Sequence, residues 1–235
     1  MDKEFVITED GSHTIYLPEM DEHYHSTHGA IQESLHIYIN QGLLQITKKE
    51  ISILEIGFGT GLNAYLTYAF ADSENLVINY FSIEKYPLNE ADYLKLNYPQ
   101  NIFPEFADVF ENLHRSKWDS VLKISPTFSL MKIHDDLLSF EFNELPQFDL
   151  VYYDAFAPGK QPEMWTDEII NKVAKTVKKD GILVTYCAKG SVRRAFSSAG
   201  FQMERIPGPI GKKEILKGKK DQLRNSLLIK NNLYS

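Results

Sequence analysis

The acidic residues of this chain stand where chemistry can use them. Asp154 closes the near-continuous apolar run Phe148-Asp149-Leu150-Val151-Tyr152-Tyr153, and Phe156 follows two residues on. An aliphatic amine is largely protonated at neutral pH, and its cation has no lone pair for attack. A carboxylate at a strand tip can orient such an amine and accept its proton, and a nearby aromatic ring can stack on a planar acceptor. Glu84 ends the run Ile78-Asn79-Tyr80-Phe81-Ser82-Ile83, 27 positions after Gly57. A carboxylate there can accept hydrogen bonds from both hydroxyls of a ribose. Asp135 and Asp136 follow Phe128–His134 and offer an acceptor for an adenine amino group. Two adjacent acids leave that assignment open, with Asp135 favoured.

A loop supplies the remaining part of such a site. Ile53-Leu54-Glu55-Ile56-Gly57-Phe58-Gly59-Thr60-Gly61-Leu62-Asn63 reads as an apolar strand, glycine at every second position, then a helix start. Glycine is required where the backbone turns with positive φ or lies against a ligand with no Cβ between. At the carboxyl end of a parallel strand, such a loop is where an open α/β sheet binds a nucleotide-like ligand.

The elements that must position these residues alternate. Residues 4–17 read as a β-hairpin around Asp10-Gly11-Ser12, and residues 28–41 as a helix. Strands are expected at 51–56, 77–84, 128–134, 148–154 and 181–187. Helices are expected near 61–71, 88–97, 105–116 and 164–178. A further helix over 189–199 ends at Gly200, followed by a strand at 201–206 and one or two more near 213–217 and 225–230. Strand–helix alternation predicts an α/β protein with a mostly parallel sheet and helices on both faces. Residues 1–45 read as an amino-terminal extension packed on the core, and 46–235 as the main domain.

Composition bounds the function. The 235 residues are 43% hydrophobic and 24% charged, as in ordinary globular domains. Met1-Asp2-Lys3-Glu4 does not open a secretory signal, and no apolar stretch has the length of a membrane span. With one cysteine no internal disulfide can form, and a cytoplasmic location is the default expectation. The net charge of −7 argues against nucleic-acid binding driven by bulk charge. It leaves room for a local basic face.

The glycine spacing narrows the ligand. A dinucleotide fingerprint needs G-x-G-x-x-G, and Leu62 occupies its last position. The pattern present, E-x-G-x-G-x-G, resembles the loop of S-adenosylmethionine (SAM) methyltransferases. Asp154-Ala155-Phe156-Ala157-Pro158, with Pro162-Glu163-Met164-Trp165-Thr166, resembles the methyltransferase domain of the MnmC family. Further similar segments are Glu84-Lys85-Tyr86-Pro87-Leu88, Ser191-Val192-Arg193-Arg194 and Gly211-Lys212-Lys213-Glu214-Ile215-Leu216. Tyr24-His25-Ser26, Gly29 and Glu33-Ser34 are similar to the family's lead-in.

The resemblance implies a class I SAM-dependent fold, Rossmann-like with a seven-stranded sheet. It implies N-methylation of the aminomethyl group of 5-aminomethyl-(2-thio)uridine at the tRNA wobble position. Asp154 and Phe156 would be catalytic. Glu55, Gly57, Phe58, Gly59, Gly61, Asn63, Glu84, Lys85, Asp135 and Asp154 would hold SAM. Tyr24, Ser26, Pro158, Met164, Trp165, Arg193, Arg194, Lys212 and Lys213 would face the tRNA. The partner would be an anticodon loop, whose unpaired bases can be presented at low cost. No flavin-dependent oxidase sequence follows, so the methylation step alone is expected.

Other features have plainer readings. His23, His25 and His28 form H-x-H-x-x-H, but no cysteine or carboxylate set completes a metal site, and a structural or substrate-facing role is expected. Cys187 is expected to be packed. Two rival functions are an aminopropyltransferase, which shares the fold and uses a polyamine, and a non-catalytic partner in tRNA modification.

Overall fold

The computed structural model describes residues 2–221. The strand expected at 225–230 and the tail beyond 221 lie outside the described residues. β1 (Glu4–Ile7) and β2 (His13–Leu17) form the expected hairpin, and a two-residue β3 (Glu22–His23) extends it to three antiparallel strands.

The main sheet is built from β4 (Glu50–Ile56), β5 (Val77–Glu84), β6 (Ser120–Ser125), β7 (Phe128–His134), β8 (Phe148–Tyr153), β9 (Val177–Thr185), β10 (Phe201–Pro207) and β11 (Glu214–Lys220). Their order is β10-β11-β9-β8-β4-β5-β7-β6. The five strands from β9 to β7 run parallel, and both edges are antiparallel. The chain leaves β4 toward β5 and β7, then returns to lay β8 on the other side of β4. That reversal opens a crevice at the carboxyl ends, where open sheets bind their ligands.

The apolar runs explain the layers. All six residues of β8 are buried, as a central strand covered on both faces requires. Ile51 and Ile53 pack with Leu62, Leu66, Tyr80 and Tyr152 on one face. Leu54 and Ile56 pack with Val151, Tyr153, Ile170 and Phe196 on the other. Ile15, Leu17, Ile37 and Tyr38 are buried in the first of these clusters.

Several elements depart from expectation. Among the described residues the sheet has eight strands rather than seven. The added β6 is an edge strand whose residues are mostly exposed, so no apolar run announced it. The helix expected at 164–178 is shorter. A turn at Pro162–Trp165 precedes the helix Asp167–Ala174, where the Thr166 hydroxyl accepts from Ile169 N–H as N-cap. The charged segment after it belongs to β9, which begins at Val177 opposite Phe148 and shifts register before Ile182 meets Leu150. The helix expected over 28–41 is α-helical only over Ala30–Ser34 and continues as a π-helical stretch, Leu35–Asn40. The helix expected at 88–97 is a single turn, Glu90–Tyr93, and a second turn, Tyr98–Asn101, follows beyond that range.

Candidate active site

A cavity of about 650 Å³ opens at the carboxyl ends of β4, β5, β7 and β8. Its floor is the glycine loop. Gly57 has φ 93°, and a Cβ there would lie 2.9 Å from the Asp154 carbonyl oxygen. The strand end of β4 can therefore approach that of β8 only with glycine at this position. Gly61, at φ 71°, starts the helix Leu62–Ser73, and a Cβ on it would strike the His114 ring at 2.8 Å. Two histidines hold the loop between these glycines. His25 Nε2 pairs with the Thr60 hydroxyl at 2.7 Å, and His114 Nε2 donates to the Thr60 carbonyl at 3.0 Å. Burial lowers the His25 pKa to about 4 and the His114 pKa to about 3, so both rings are neutral near pH 7.

The next two strand tips carry carboxylates. Glu84 accepts from the Gly59 N–H at 3.0 Å and the Tyr86 N–H at 2.7 Å. The β5 tip is thereby tied to the glycine loop. Asp136 bonds Lys85 at 2.7 Å and the Leu138 N–H at 3.0 Å. Asp135 accepts the Asp136 N–H at 2.6 Å and lies more exposed on the cavity wall.

Asp154 sits on the other side of the loop. Tyr38 O–H donates to its Oδ1 at 2.5 Å, and the Asn63 side-chain amide donates to its Oδ2 at 2.8 Å. Burial pushes the carboxyl up to about 7, with the Tyr38 hydrogen bond working in the opposite direction. At neutral pH the group is divided between its two forms, as suits a base. Phe156 stands edge-on to Tyr24, ring centroids 5.1 Å apart. Glu33, Tyr186 and Lys212 complete the wall beside Asp154.

The structure sorts the sequence candidates. Tyr24, Ser26, Gly57, Phe58, Gly59, Asn63, Glu84, Lys85, Asp135, Asp154, Phe156, Met164 and Lys212 all line the cavity. Glu55 does not. It is fully buried beneath the loop with its carboxyl accepting from Ser82 O–H at 2.7 Å, and burial pushes its pKa well above the usual range. Strand alternation puts Glu55 on the face of Ile51 and Ile53, under the helix Leu62–Ser73. Gly61 serves the packing of His114 rather than the cavity wall. Trp165 is an interior residue, its indole N–H donating to the Phe156 carbonyl at 2.8 Å. It braces the Phe156 loop from behind. Pro158 lies outside the lining residues.

The basic candidates divide as well. Arg193, Arg194 and Lys213 are exposed and outside the cavity, whereas Lys212 turns inward to Glu33. A missed neighbour is Lys189, whose ammonium reaches within 3.9 Å of where a Gly159 Cβ would stand. Arg194 and Arg205 flank Gly190 beside it, so a basic cluster adjoins the loop that follows Asp154. Tyr38, Glu33 and Tyr186 were also missed. Tyr38 lies in an apolar helical stretch and reads as core, and Glu33 entered only through the segment Glu33-Ser34 that resembles the family's lead-in. The three histidines separate, His25 to Thr60, His28 to Glu9 and His23 against the Tyr16 ring. Among the described residues no group of three or more His, Cys, Asp or Glu is placed to hold a metal, and no helix is long and apolar enough to cross a membrane.

Known proteins resemble this chain in sequence and fold. A family model described as S-adenosyl-L-methionine-dependent methyltransferase matches residues 100–221. The tRNA 5-methylaminomethyl-2-thiouridine biosynthesis bifunctional protein MnmC of Vibrio vulnificus is 29% identical over 223 residues, 85% of this chain and 33% of that protein. The chain thus spans about a third of the length of the curated relatives it matches. The crystal structure of MNMC2 from Aquifex aeolicus superposes with a TM-score of 0.75 at 27% identity, over 93% of this chain and 70% of that one. Spermidine synthase from Thermotoga maritima, at 13% identity and a TM-score of 0.54 over 94% of this chain and 72% of that one, shares the fold alone.

Proposed function

The chain belongs to the S-adenosyl-L-methionine-dependent methyltransferase family, and from that premise we propose that it methylates the primary amine of 5-aminomethyl-(2-thio)uridine at the tRNA wobble position. The product is 5-methylaminomethyl-(2-thio)uridine. The observation that carries this reading is Asp154, a carboxyl titrating near 7 at the end of β8, held from both sides and facing the cavity beside Phe156.

The cavity suits the cofactor on its own chemistry. Gly57 lets the β4 tip lie against the Asp154 carbonyl, which any Cβ would prevent, and two backbone N–H groups hold the Glu84 carboxylate on the cavity wall. Glu84 would accept from the ribose hydroxyls and Asp135 from the adenine amine. When bound, SAM supplies an electron-poor methyl carbon on a sulfonium sulfur.

The protein's own work is on the acceptor. Asp154 in its ionised form takes a proton from the entering ammonium and exposes the nitrogen lone pair. Tyr38 and Asn63 fix the carboxyl so that the nitrogen arrives aligned, and alignment supplies much of the acceleration in such a displacement. Phe156 stacks on the uracil, its backbone carbonyl anchored by Trp165. The basic residues beside the loop that follows Asp154, Lys189, Arg194 and Arg205, would take RNA phosphates, which position a nucleic acid without reading its sequence.

Purified protein incubated with SAM and tRNA bearing either the aminomethyl or the carboxymethylaminomethyl group tests the reading. The first form is converted. The second is left unchanged, because its carboxylate meets Asp154 and Glu33. A polyamine arm separates the aminopropyltransferase rival, and methylation of neither tRNA would reject the proposal.

A further inference from the structure

Beside Asp154 the cavity already holds an ammonium of its own. Lys212 Nζ lies 3.2 Å from Glu33 Oε1, and the Ser26 N–H donates to Glu33 Oε2 at 2.8 Å. Glu33 is 7% exposed, yet both residues line the cavity. The Lys212 ammonium also sits 5.0 Å from the centroid of the Tyr186 ring, whose hydroxyl donates to the Ala155 carbonyl at 2.9 Å. The carboxylate comes from the amino-terminal helix and the lysine from the turn before β11, so two distant parts of the chain meet at the reacting carboxyl. Their charges act on Asp154 in opposite senses, Glu33 raising its pKa and Lys212 lowering it.

Charge matching gives the pair a meaning. A nearly buried carboxylate is costly unless paired, and Lys212 supplies the partner when no acceptor is bound. An acceptor with an aminomethyl arm brings the same group that Lys212 carries, a primary ammonium on a flexible carbon stem. Once Asp154 has taken the proton it is neutral and no longer attracts a cation. A second carboxylate in the same wall can draw in the ammonium before that transfer.

We propose that Glu33 is the residue that recognises the acceptor's ammonium, and that Lys212 is its placeholder, displaced from Glu33 when the acceptor enters. The inference rests on the amine-methylation reading and adds how the amine is selected. It assigns the site a preference for primary aliphatic ammonium groups over neutral or anionic substituents at the same position of the base.

The test is calorimetry at pH 8 on protein saturated with S-adenosylhomocysteine, titrated with 5-aminomethyluridine and, as control, 5-methyluridine. Lys212→Met keeps the stem against Tyr186 and removes the competing charge. It is expected to bind 5-aminomethyluridine about three- to tenfold tighter than the native protein, with 5-methyluridine unaffected. Glu33→Gln is expected to bind 5-aminomethyluridine at least about tenfold more weakly, and Glu33→Asp to fall between. Unchanged S-adenosylhomocysteine affinity shows that each variant is folded. If the native protein binds the aminomethyl nucleoside but Lys212→Met binds it equally or more weakly, the placeholder is overturned and amine methylation stands. If the native protein neither prefers 5-aminomethyluridine over 5-methyluridine nor methylates aminomethyl tRNA, both are overturned.

Discussion

Removing one hydroxyl, in Tyr38→Phe, should move the pH dependence of the reaction by a calculable amount. Tyr38 O–H donates to Asp154 Oδ1 at 2.5 Å. Burial pushes the Asp154 carboxyl up to about 7, and the Tyr38 hydrogen bond opposes that rise. A hydrogen bond to a charged group is worth about 1.5–3 kcal/mol. At 1.36 kcal/mol per pH unit, its loss raises the Asp154 pKa by about 1–2 units. The acid limb of single-turnover methylation should therefore shift from near pH 7 to roughly pH 8–9. At pH 7 the ionised fraction falls from about one half to roughly 1–10%, so the rate drops about 5- to 50-fold. The plateau at higher pH is largely retained, because phenylalanine keeps the ring that packs on Tyr152, 5.1 Å between centroids. The acceptor amine titrates identically in both proteins, so the difference between the two profiles reports Asp154. Superimposable profiles for native protein and Tyr38→Phe would refute the assignment of Asp154 as the base.

Four other outcomes are expected. Asp154→Asn should lose at least about 10²-fold in single-turnover rate while keeping much of its SAM affinity, and raising the pH should recover part of the loss. The same variant should change stability with a definite sign. The Asp154 pKa is raised on folding, so its contribution is fully present below about 3.8 and is lost as pH rises through about 7. Asp154→Asn should therefore gain on the native protein above pH 7 in denaturant melts, by at most about 4 kcal/mol, and the gain should vanish below about pH 4. Glu84→Ala should weaken SAM binding by roughly 1.5–3 kcal/mol in calorimetry, and unchanged affinity in folded protein would move the ribose elsewhere. Neutralising Lys189 and Arg194 together should flatten the salt dependence of tRNA affinity, by about 0.7 in log–log slope per lost phosphate contact to single-stranded RNA. An unaltered slope would place the docking face away from the Gly159 loop.

What was legible in the sequence is what local pattern encodes. The glycine loop, the acidic strand tips and the central strands are all written in contiguous residues, because a parallel strand buried on both faces must be a near-continuous apolar run. The edge strand β6 was not legible, since solvent covers much of it and its residues need no apolar period. Glu55 read as a ligand contact because it precedes the loop, but the two-residue alternation of a strand turns it under the adjoining helix. Tyr38 sits in Leu35-His36-Ile37-Tyr38-Ile39, an apolar helical stretch in which a tyrosine reads as core. Its hydroxyl finds its meaning only at Asp154, 116 residues away. Lys212 reads as a tRNA-facing cation in a basic segment, and only the fold brings it to Glu33. Side chains that act through long-range pairing are thus invisible to spacing, whereas the backbone features that shape the glycine loop are not.

The central claim is that this site methylates an aminomethyl nitrogen with Asp154 as base. The most direct measurement is nucleoside mass spectrometry after a single turnover with methyl-deuterated SAM and tRNA carrying 5-aminomethyl-2-thiouridine. One labelled methyl is expected on the side-chain nitrogen of the wobble nucleoside in native protein, and at most about a hundredth of that initial rate in Asp154→Asn. Label on any other atom, or equal rates in the two proteins, would contradict it.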